Sequence, residues 1–575
     1  MKISTPIRQQ KPGFSAPRPG AQDSLSHLTF SVVAVVLMAS VYLAYSPALG
    51  FQFILDDHQF IGDPRLQSSG HVWEYFTSWV WAQFAGGPLS FYRPLFLLWL
   101  RVNFLLSEMS SWGWHFLSVT KHVSAAILLG LLVWKLLRDR VAALIASTLF
   151  ALHPAQTESV AWITVPDPLM AAAMLGSVLL YMRYADGHSD KDPPHVKKAG
   201  QKARKVVRND AASRPSLAWL VASAVACLAA LLAKETAIVL PAVLFAMALL
   251  MHKGESPGLS PRLVRAFRAT LPFLAATVVY ILLRLNALGG GFVTSTQHLP
   301  WSTELLSLPA TLWFYVKVLL WPVQPRAFTD PTQVDRFSLN GVLLPGFAVC
   351  CAGAILVGAL VWGWKKARRD LSPREAAGVE LALVLGTLLL ALPILPALNL
   401  NALRPGDSLH GRYAYVSSAG LMLLLATGWH LARQWRTVLL FSGGVVAVAF
   451  GALTMIQESA WKDNLAVFTV AHQYAPHNSF VAQNLARAHI QAAIELSEAG
   501  RCSDAVPVFE QATQQYPEDW VAWAALGNCL AQLNDLSRAE QTLRRAAELA
   551  HKPQVTERWQ QVRTMMEGRP SAPQE

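Results

Sequence analysis

Charge is scarce in this chain. Only 15% of its 575 residues are Asp, Glu, Lys or Arg, against about 25% in an ordinary soluble domain. A single soluble globule is excluded, because 53% of the residues are hydrophobic and many fall in long uninterrupted runs, the mark of a polytopic membrane protein. Cysteine is rare too: the five present make no disulfide framework. Cys227, Cys350 and Cys351 lie in apolar runs, where a small buried thiol is the ordinary state. Cys502 and Cys529 lie in the polar C-terminal part and can pair only in an oxidising compartment. A Gly-rich loop that would cradle phosphates is lacking, so nothing points to a nucleotide site. The formal charge of +12 does not imply nucleic-acid binding, because the basic residues gather in loops between apolar runs, the positive-inside pattern.

Residues 1–27 carry Lys2, Arg8, Lys11 and Arg18 among Pro, Gly, Ser and Gln and read as a disordered cytoplasmic tail. The apolar run at 28–48 ends without a small-residue cleavage site and reads as a retained first span. A first external loop, 49–112, follows. Its clustered Trp73, Tyr75, Phe76, Trp79 and Trp81 suit a membrane interface. Residues 91–107, with Arg93 and Arg101, are too short and too charged for a span and read as an amphipathic helix on the outer surface. Further spans are expected at 113–134, 141–153, 168–184, 217–233, 236–251, 269–285, 341–363, 379–397, 414–431 and 437–456, about eleven in all. The loop 185–216, with Lys191, Lys197, Lys198, Lys202, Arg204, Lys205, Arg208 and Arg214, should be cytoplasmic. That puts the N-terminus inside and the C-terminus outside. Residues 305–322 are also apolar, but a span there would place Lys365, Lys366, Arg368 and Arg369 outside, so a re-entrant or interfacial helix is expected.

Beyond residue 457 the chain becomes polar, Ala-rich and periodic. Phe468, Ala471 and Pro476 have the mutual spacing of Phe509, Ala512 and Pro517, and Ala505, Phe509 and Ala512 recur 34 residues on as Ala539, Leu543 and Ala546. Trp523, Leu526 and Gly527 fill first-helix positions of the last copy. This is the tetratricopeptide period and pattern. It predicts a short stack of helical hairpins over 457–567, with an elongated first helix at 479–499 in the middle copy and a disordered tail at 568–575. Such stacks offer a concave face that holds a partner and supply no chemistry of their own.

Candidate chemistry sits at the outer ends of the spans. Asp56 and Asp57 follow the first span directly. Adjacent carboxylates repel, and desolvation beside lipid raises their proton affinity, which is how a general base is tuned towards neutral pH. In an extended segment the two side chains would point to opposite faces and would not address one hydroxyl equally; the plain alternative is a pair of solvated loop acids. Glu158 and Asp167 are external acids that are costly near lipid without partners; several acids on one face can also hold a divalent cation, and the metal question stays open. Lys234 and Glu235 can simply pair with each other. Arg93 can be an anchor for its interfacial helix, and His153, before Pro154, a cap or packing residue.

LDDHQF (55–60), YRPL (92–95), HPAQTESVAW (153–162) with Asp167, LAKETAIVLP (232–241) and GRYAYVSSAG (411–420) stand in that order before the repeats. The chain thereby resembles, from about residue 28 to 550, the transmembrane and tetratricopeptide-repeat-containing glycosyltransferases of the GT-C superfamily, which includes protein O-mannosyltransferases. The resemblance implies an all-α fold, with a GT-C transmembrane catalytic domain at 28–456 and an extracytoplasmic repeat domain at 457–567. It implies inverting transfer of a mannose-like sugar from a polyprenyl-phosphate-linked donor to a hydroxyl, commonly of protein Ser or Thr. Asp56 matches the first acid of the family motif and is its base, with Asp57 holding the acceptor or buffering its neighbour. Arg412 beside Tyr413 is the first choice for the donor phosphate, with Arg93 and Lys234 next; Glu158 and Asp167 are further active-site acids, and His153 and Glu235 stand at the margin. The repeat tail is shorter than in animal members. A short tail and a basic loop suit a bacterial inner-membrane homologue, with an undecaprenyl-phosphate donor, more than an endoplasmic-reticulum one with a dolichyl-phosphate donor. The acceptor, protein or glycan, would be held by the repeats. Two other classes remain: a polysaccharide polymerase or O-antigen-type ligase, and a non-enzymatic transporter or assembly scaffold.

Overall fold

A computed structural model describes residues 34–36, 38–84, 91–189, 217–251, 258–289, 299–324, 328–329, 333–402 and 409–568. The N-terminal tail at 1–27, most of the basic loop at 185–216 and the tail beyond Gly568 lie outside the described residues. Among these there is no strand; a helix satisfies its own backbone polar groups, which lipid cannot do. After a short apolar helix at Ala34–Ala44, the elements that position the site are α1 (Asp57–Ile61), α2 (Pro94–Ser107), α3 (Ser111–Leu137), α4 (Arg140–Ala151), α5 (Asp167–Ser189), α6 (Leu217–Ala233), α7 (Leu240–Met251), α8 (Leu259–Ala287), α9 (Trp301–Leu320), α10 (Leu344–Asp370), α11 (Pro373–Ala391), α12 (Tyr415–Leu431) and α13 (Arg436–Glu458). The repeat helices follow: α14 (Asn464–Tyr474), α15 (Ser479–Glu498), α16 (Cys502–Gln515), α17 (Trp520–Gln532), α18 (Leu536–Ala550) and α19 (Pro553–Glu567).

Eight helical segments, those of α3, α5 and α8 to α13, are long and apolar enough to cross a membrane, and the chain is an integral membrane protein. Ala34–Ala44, α4, α6 and the segment containing α7 are apolar but shorter. The bundle core runs through α3 to α7, α11 and α12, with Leu129, Phe150, Met174, Leu231, Val243, Leu385 and Leu423 buried in it. The helices α11 and α12 approach very closely. A Cβ on Gly420 would lie 2.3 Å from the Leu390 nitrogen and 2.6 Å from the Gly386 carbonyl oxygen, so only glycine fits where two membrane helices touch backbone to backbone. The hydropathic windows of α10 and α13 are 0% and 6% buried; they lie on the rim, with Phe347, Ile355, Phe441 and Val448 turned outward, as lipid-facing helices do.

The bundle has two unlike ends. At one, the α3–α4, α10–α11 and α12–α13 turns meet: His430 Nδ1 lies 3.1 Å from Asp139 Oδ2, and a Cβ on Gly378 would strike the Leu136 carbonyl. Lys135, Arg138, Arg140, Lys365, Lys366, Arg368, Arg369, Arg433 and Arg436 gather in those turns. At the other end lies a large cavity, described below. Both ends of α9 are tied to this cavity end. Leu299 N–H and Asn401 N–H bond Asn401 Oδ1 and Glu304 Oε1 respectively, at 2.6 and 3.2 Å. At the far terminus His153 Nε2 meets the Leu319 carbonyl at 3.1 Å, and Gln457 donates to the Pro322 carbonyl at 2.6 Å. Both termini of this helix, which is long enough to cross a membrane, are thus held by residues outside it.

The first external loop is a small subdomain with its own core: Phe60, Leu66, Tyr75, Trp81, Phe96, Leu100 and Trp114. Arg65 and Asp63, 1% and 0% exposed, pair inside it at 2.7 Å. This corrects the reading of the 58–92 aromatics as a membrane belt: Tyr75 and Trp81 are core, Phe76 and Trp79 pack against it, and Trp73 alone of those five is strongly exposed, at 74%. The α2 helix is not a span. Arg101 is buried and donates to the Leu66 carbonyl, while Leu105 and Leu106 face outward.

In the repeat domain the recurring Phe, Leu and Ala positions are buried: Phe468 and Ala471 on α14, Ala505, Phe509 and Ala512 on α16, Ala539, Leu543 and Ala546 on α18. A Cβ at Gly527 would meet Leu543 at 2.5 Å, the close helix pairing that the small positions allow. Asp463, Asn478, Asp519 and Asp535 cap the helices that follow them, as short polar side chains do by taking orphan N–H groups. Cys502 and Cys529 form a disulfide, Cα atoms 5.1 Å apart, between α16 and α17. Trp461, Val467, Phe468 and Val481 share one apolar core with Phe51, Ile54, Trp162 and Phe328, so the repeats are seated directly on the cavity end.

Ser302→Cys and Trp321→Cys, both at exposed positions, should react with a membrane-impermeant thiol reagent from the same side as the repeat domain. Arg369→Cys should react from the other. The background lacks the free cysteines Cys227, Cys350 and Cys351. Labelling of 302 and 321 from opposite sides would make α9 a true span.

Candidate active site

The cavity measures about 1100 Å³, and Asp56, Arg93, Asp167, Lys234, Glu235, Arg412 and Tyr413 all line it. These residues come from five separate segments. Asp167 opens α5 and Lys234 follows the last residue of α6, so an acid sits at a helix N-terminus and a base at a C-terminus, each the sign the helix dipole favours. The two helices run antiparallel and bring these ends together: Lys234 Nζ lies 2.6 and 2.7 Å from the two Asp167 oxygens, with both side chains under 5% exposed. Burial pulls the Lys234 ammonium below its ordinary value, and Asp167 pulls the other way.

Lys234 and Glu235 therefore do not pair with each other. Glu235 takes two bonds from Arg93, Nε at 2.8 Å and Nη2 at 2.5 Å, in the side-on fork that suits guanidinium and carboxylate. Glu158, on the single turn Thr157–Ala161, is buried and accepts from the Arg412 backbone N–H and from Nη1, each at 3.0 Å. His410 Nδ1 lies 2.8 Å from the same carboxylate. The Arg412 guanidinium stands 4.6 Å from the Trp162 ring and 5.5 Å from that of Tyr413, whose face also carries Lys234 Nζ at 4.9 Å. Both cations thus approach the Tyr413 ring, each held by ring quadrupole and carboxylate.

Asp56 and Asp57 part company. Asp56 precedes α1 in helical conformation, not in an extended one, and its side chain makes no cap bond to that helix; it faces the cavity. Asp57 is fully buried. Its Oδ2 takes the Ile54 N–H at 3.0 Å and its Oδ1 the Thr164 hydroxyl at 2.7 Å. It belongs to the wall, not beside an acceptor as the resemblance implied. The loop is pinned from the other side too: Gln52 N–H bonds the Lys462 carbonyl at 2.9 Å, and Leu55 N–H bonds Asn464 Oδ1 at 2.8 Å. Leu55 has φ +50°, a left-handed conformation that a branched side chain adopts only when its surroundings impose it.

Two sequence candidates stand off the cavity. His153 caps the turn Pro154–Gln156, stacks edge-on against Phe450 and is buried; burial takes its pKa down to about 4, a neutral structural imidazole. Glu158 reaches the cavity only through Arg412. Sequence reasoning missed Thr164, Trp162, Asn464 and His410. His410 stands one residue before the GRYAY motif and Trp162 closes HPAQTESVAW, so proximity to a motif was their signal; Thr164 and Asn464 have none.

With this geometry in place, likeness to other proteins can be weighed. Residues 496–565 match the tetratricopeptide repeat family. Protein O-mannosyl-transferase TMTC3 of Mus musculus is 24% identical over 548 residues, 88% of this chain and 54% of the mouse protein. Protein O-mannosyl-transferase TMTC1 of Homo sapiens is 24% identical over 530 residues, 86% and 56% of the two chains. The likeness to these two proteins runs along most of this chain. The chain spans about half the length of these curated relatives. Among solved structures, the archaeal oligosaccharyltransferase AglB from Archaeoglobus fulgidus, in complex with an inhibitory peptide and a dolichol-phosphate, aligns with 83% of this chain and 58% of its own at 15% identity and a TM-score of 0.36.

The perturbed acid of the adjacent pair is Asp57. Burial raises its pKa to about 8, offset in part by the Ile54 and Thr164 bonds and reinforced by Asp56. A carboxyl whose folded value is raised stabilises the fold fully below its unfolded value of about 4, and that contribution is lost as pH rises towards about 8. Asp57→Asn should fold, its amide oxygen accepting from Ile54 and its nitrogen donating to Thr164, and should lack this loss. Asp57→Ala strands two buried groups at about 1–3 kcal/mol each. Thermal unfolding in detergent between pH 5 and 9 reads both; parallel pH profiles for wild type and Asp57→Asn would refute the assignment.

Proposed function

We propose that this chain is an inverting glycosyltransferase that moves a mannose-like sugar from a polyprenyl-phosphate-linked donor to a hydroxyl, of protein Ser or Thr, at the extracytoplasmic face. The observation that carries this reading is one cavity, at the end of an apolar bundle, that holds Asp56 together with Arg93, Lys234 and Arg412. The curated relatives, named protein O-mannosyl-transferases, support it. So does the Cys502–Cys529 disulfide, which suits a repeat domain on the oxidising side.

A lipid phosphate is already a good leaving group. The acceptor oxygen attacks the anomeric carbon from the face opposite the phosphate, its proton passes to the Asp56 carboxylate, and the bond from the anomeric carbon to the phosphate oxygen breaks. The electron pair leaves on the polyprenyl phosphate, and the configuration inverts. Asp56 is the base because it stands on the loop that the repeats pin, where an acceptor arrives. Arg412 and Lys234, both against the Tyr413 ring, face the developing phosphate charge, with Arg93 the third cation. Preorganised cations in a site shielded from water stabilise such charge at no reorganisation cost. Among the described residues no group of three or more His, Cys, Asp or Glu is set to hold a metal ion, and no step is assigned to one.

Asp56→Asn should lose about a hundred- to ten-thousandfold in single-turnover transfer, the usual share of a positioned base, with donor binding little changed. Transfer at near wild-type rate would move the base elsewhere. Arg412→Lys keeps the charge but not the planar fork and should weaken binding of a polyprenyl-phosphate sugar in titration, with Arg412→Ala weaker still. Unchanged donor affinity in both would make Arg412 structural and pass its role to Arg93 or Lys234.

A further inference from the structure

One wall of the cavity has no part in the chemistry above. Beyond Phe480 it is formed by α15, through Asn484, Arg487, Gln491 and Glu495. These positions recur every three or four residues, so they form one stripe along one face of the helix. The other faces hold Val481, Ile490 and Ala493 in the repeat cores. Arg487, Gln491 and Glu495 are exposed and Asn484 half-buried. A solvated helix face would look similar in composition, but this one is turned into the cavity that contains Asp56. The α15 helix has 20 residues where α14, α16 and α17 have 11, 14 and 13, and its extra turns carry the far part of the stripe.

We infer that this stripe is the acceptor track, on which an extended polypeptide lies and presents its hydroxyl residue to Asp56. The inference rests on the glycosyltransferase reading. Asn and Gln side chains each carry a donor and an acceptor, as a peptide group does. Asn484 and Gln491 are two helical turns apart, about 10.5 Å at 1.5 Å per residue. Three residues of extended chain cover about 10 Å, so both amides can bond one strand in register. The whole stripe, about 16 Å long, matches about five extended residues. Arg487 and Glu495 add opposite charges about 12 Å apart, which favour one chain direction for a charged peptide. Past Phe480 the α15 lining has no aromatic ring to stack on a pyranose, which speaks for peptide over glycan. Sequence-tolerant amide contacts also suit an enzyme that modifies many Ser and Thr contexts.

The test uses the full chain in detergent, a fluorescent Ala/Ser/Thr peptide of about ten residues and a three-residue version, since the track matches about five. Binding is read by anisotropy and transfer separately. Asn484→Ala/Gln491→Ala should weaken binding of the long peptide about tenfold, the scale of losing one or two hydrogen bonds. It should raise its KM alike and leave kcat and use of the short peptide unchanged. Gln491→Ala alone, at an exposed position, should show the same direction and guards against misfolding of the double variant. Gln560→Ala, exposed on α19, should change nothing. Unaltered long-peptide affinity in the double variant overturns the track, as does no long-peptide binding by wild type, or displacement by an oligosaccharide lost in the same variants, which would make it a glycan track. Stripe-dependent peptide binding without sugar transfer would sink the enzymatic reading and leave the track standing.

Discussion

The structure depends on the rule that charge buried at the end of an apolar bundle must be paired. Three pairs meet that need: Lys234–Asp167, Arg93–Glu235 and Arg412–Glu158. Their partners lie 67, 142 and 254 residues apart in the chain, so the pairs bind together α5, α6, the external loop and the turn before α12. Stranding one member of a buried pair costs about 3–5 kcal/mol. The site is therefore a lock on the bundle as well as a place for chemistry, and its cations are fixed before any donor arrives.

A second dependence runs from the repeats to the proposed base. The loop carrying Asp56 is held on its bundle side by Asp57 and Thr164, and on its repeat side by Lys462 and Asn464. The strained Leu55 marks where these two restraints meet. The aromatic contacts of Phe328 with His410, Phe468 and Phe480 fill the same junction. The loop of the proposed base and the first repeat helices thus share one apolar core.

Much of the fold was legible from composition and period. Helical spans follow from apolar runs in a medium that cannot solvate backbone, and the basic turns at one end follow from the charge pattern. The recurring Ala and Phe spacing identified the buried faces of α14, α16 and α18 before any coordinate. What misled was local composition without tertiary context. Trp81 and Tyr75 look like interface aromatics in a list, yet they fill the core of a subdomain, because a loop of that length can fold on itself.

The sequence by itself determined the helices, the repeat period and the face on which polar residues collect, because periodicity and hydropathy are properties of neighbouring residues. It also brought Asp56, Arg93, Lys234 and Arg412 forward as candidates, through short motifs. Only the tertiary structure decided which acid met which base. Lys234 could not be matched with Asp167, nor Arg93 with Glu235, from spacing alone, since ion pairing between distant segments is set by helix packing and carries no local signal. The same holds for the division between Asp56 and Asp57. Two adjacent carboxylates are alike in the chain, and the Thr164 hydroxyl, 107 residues away from Asp57, turned one into the wall and left the other facing the cavity.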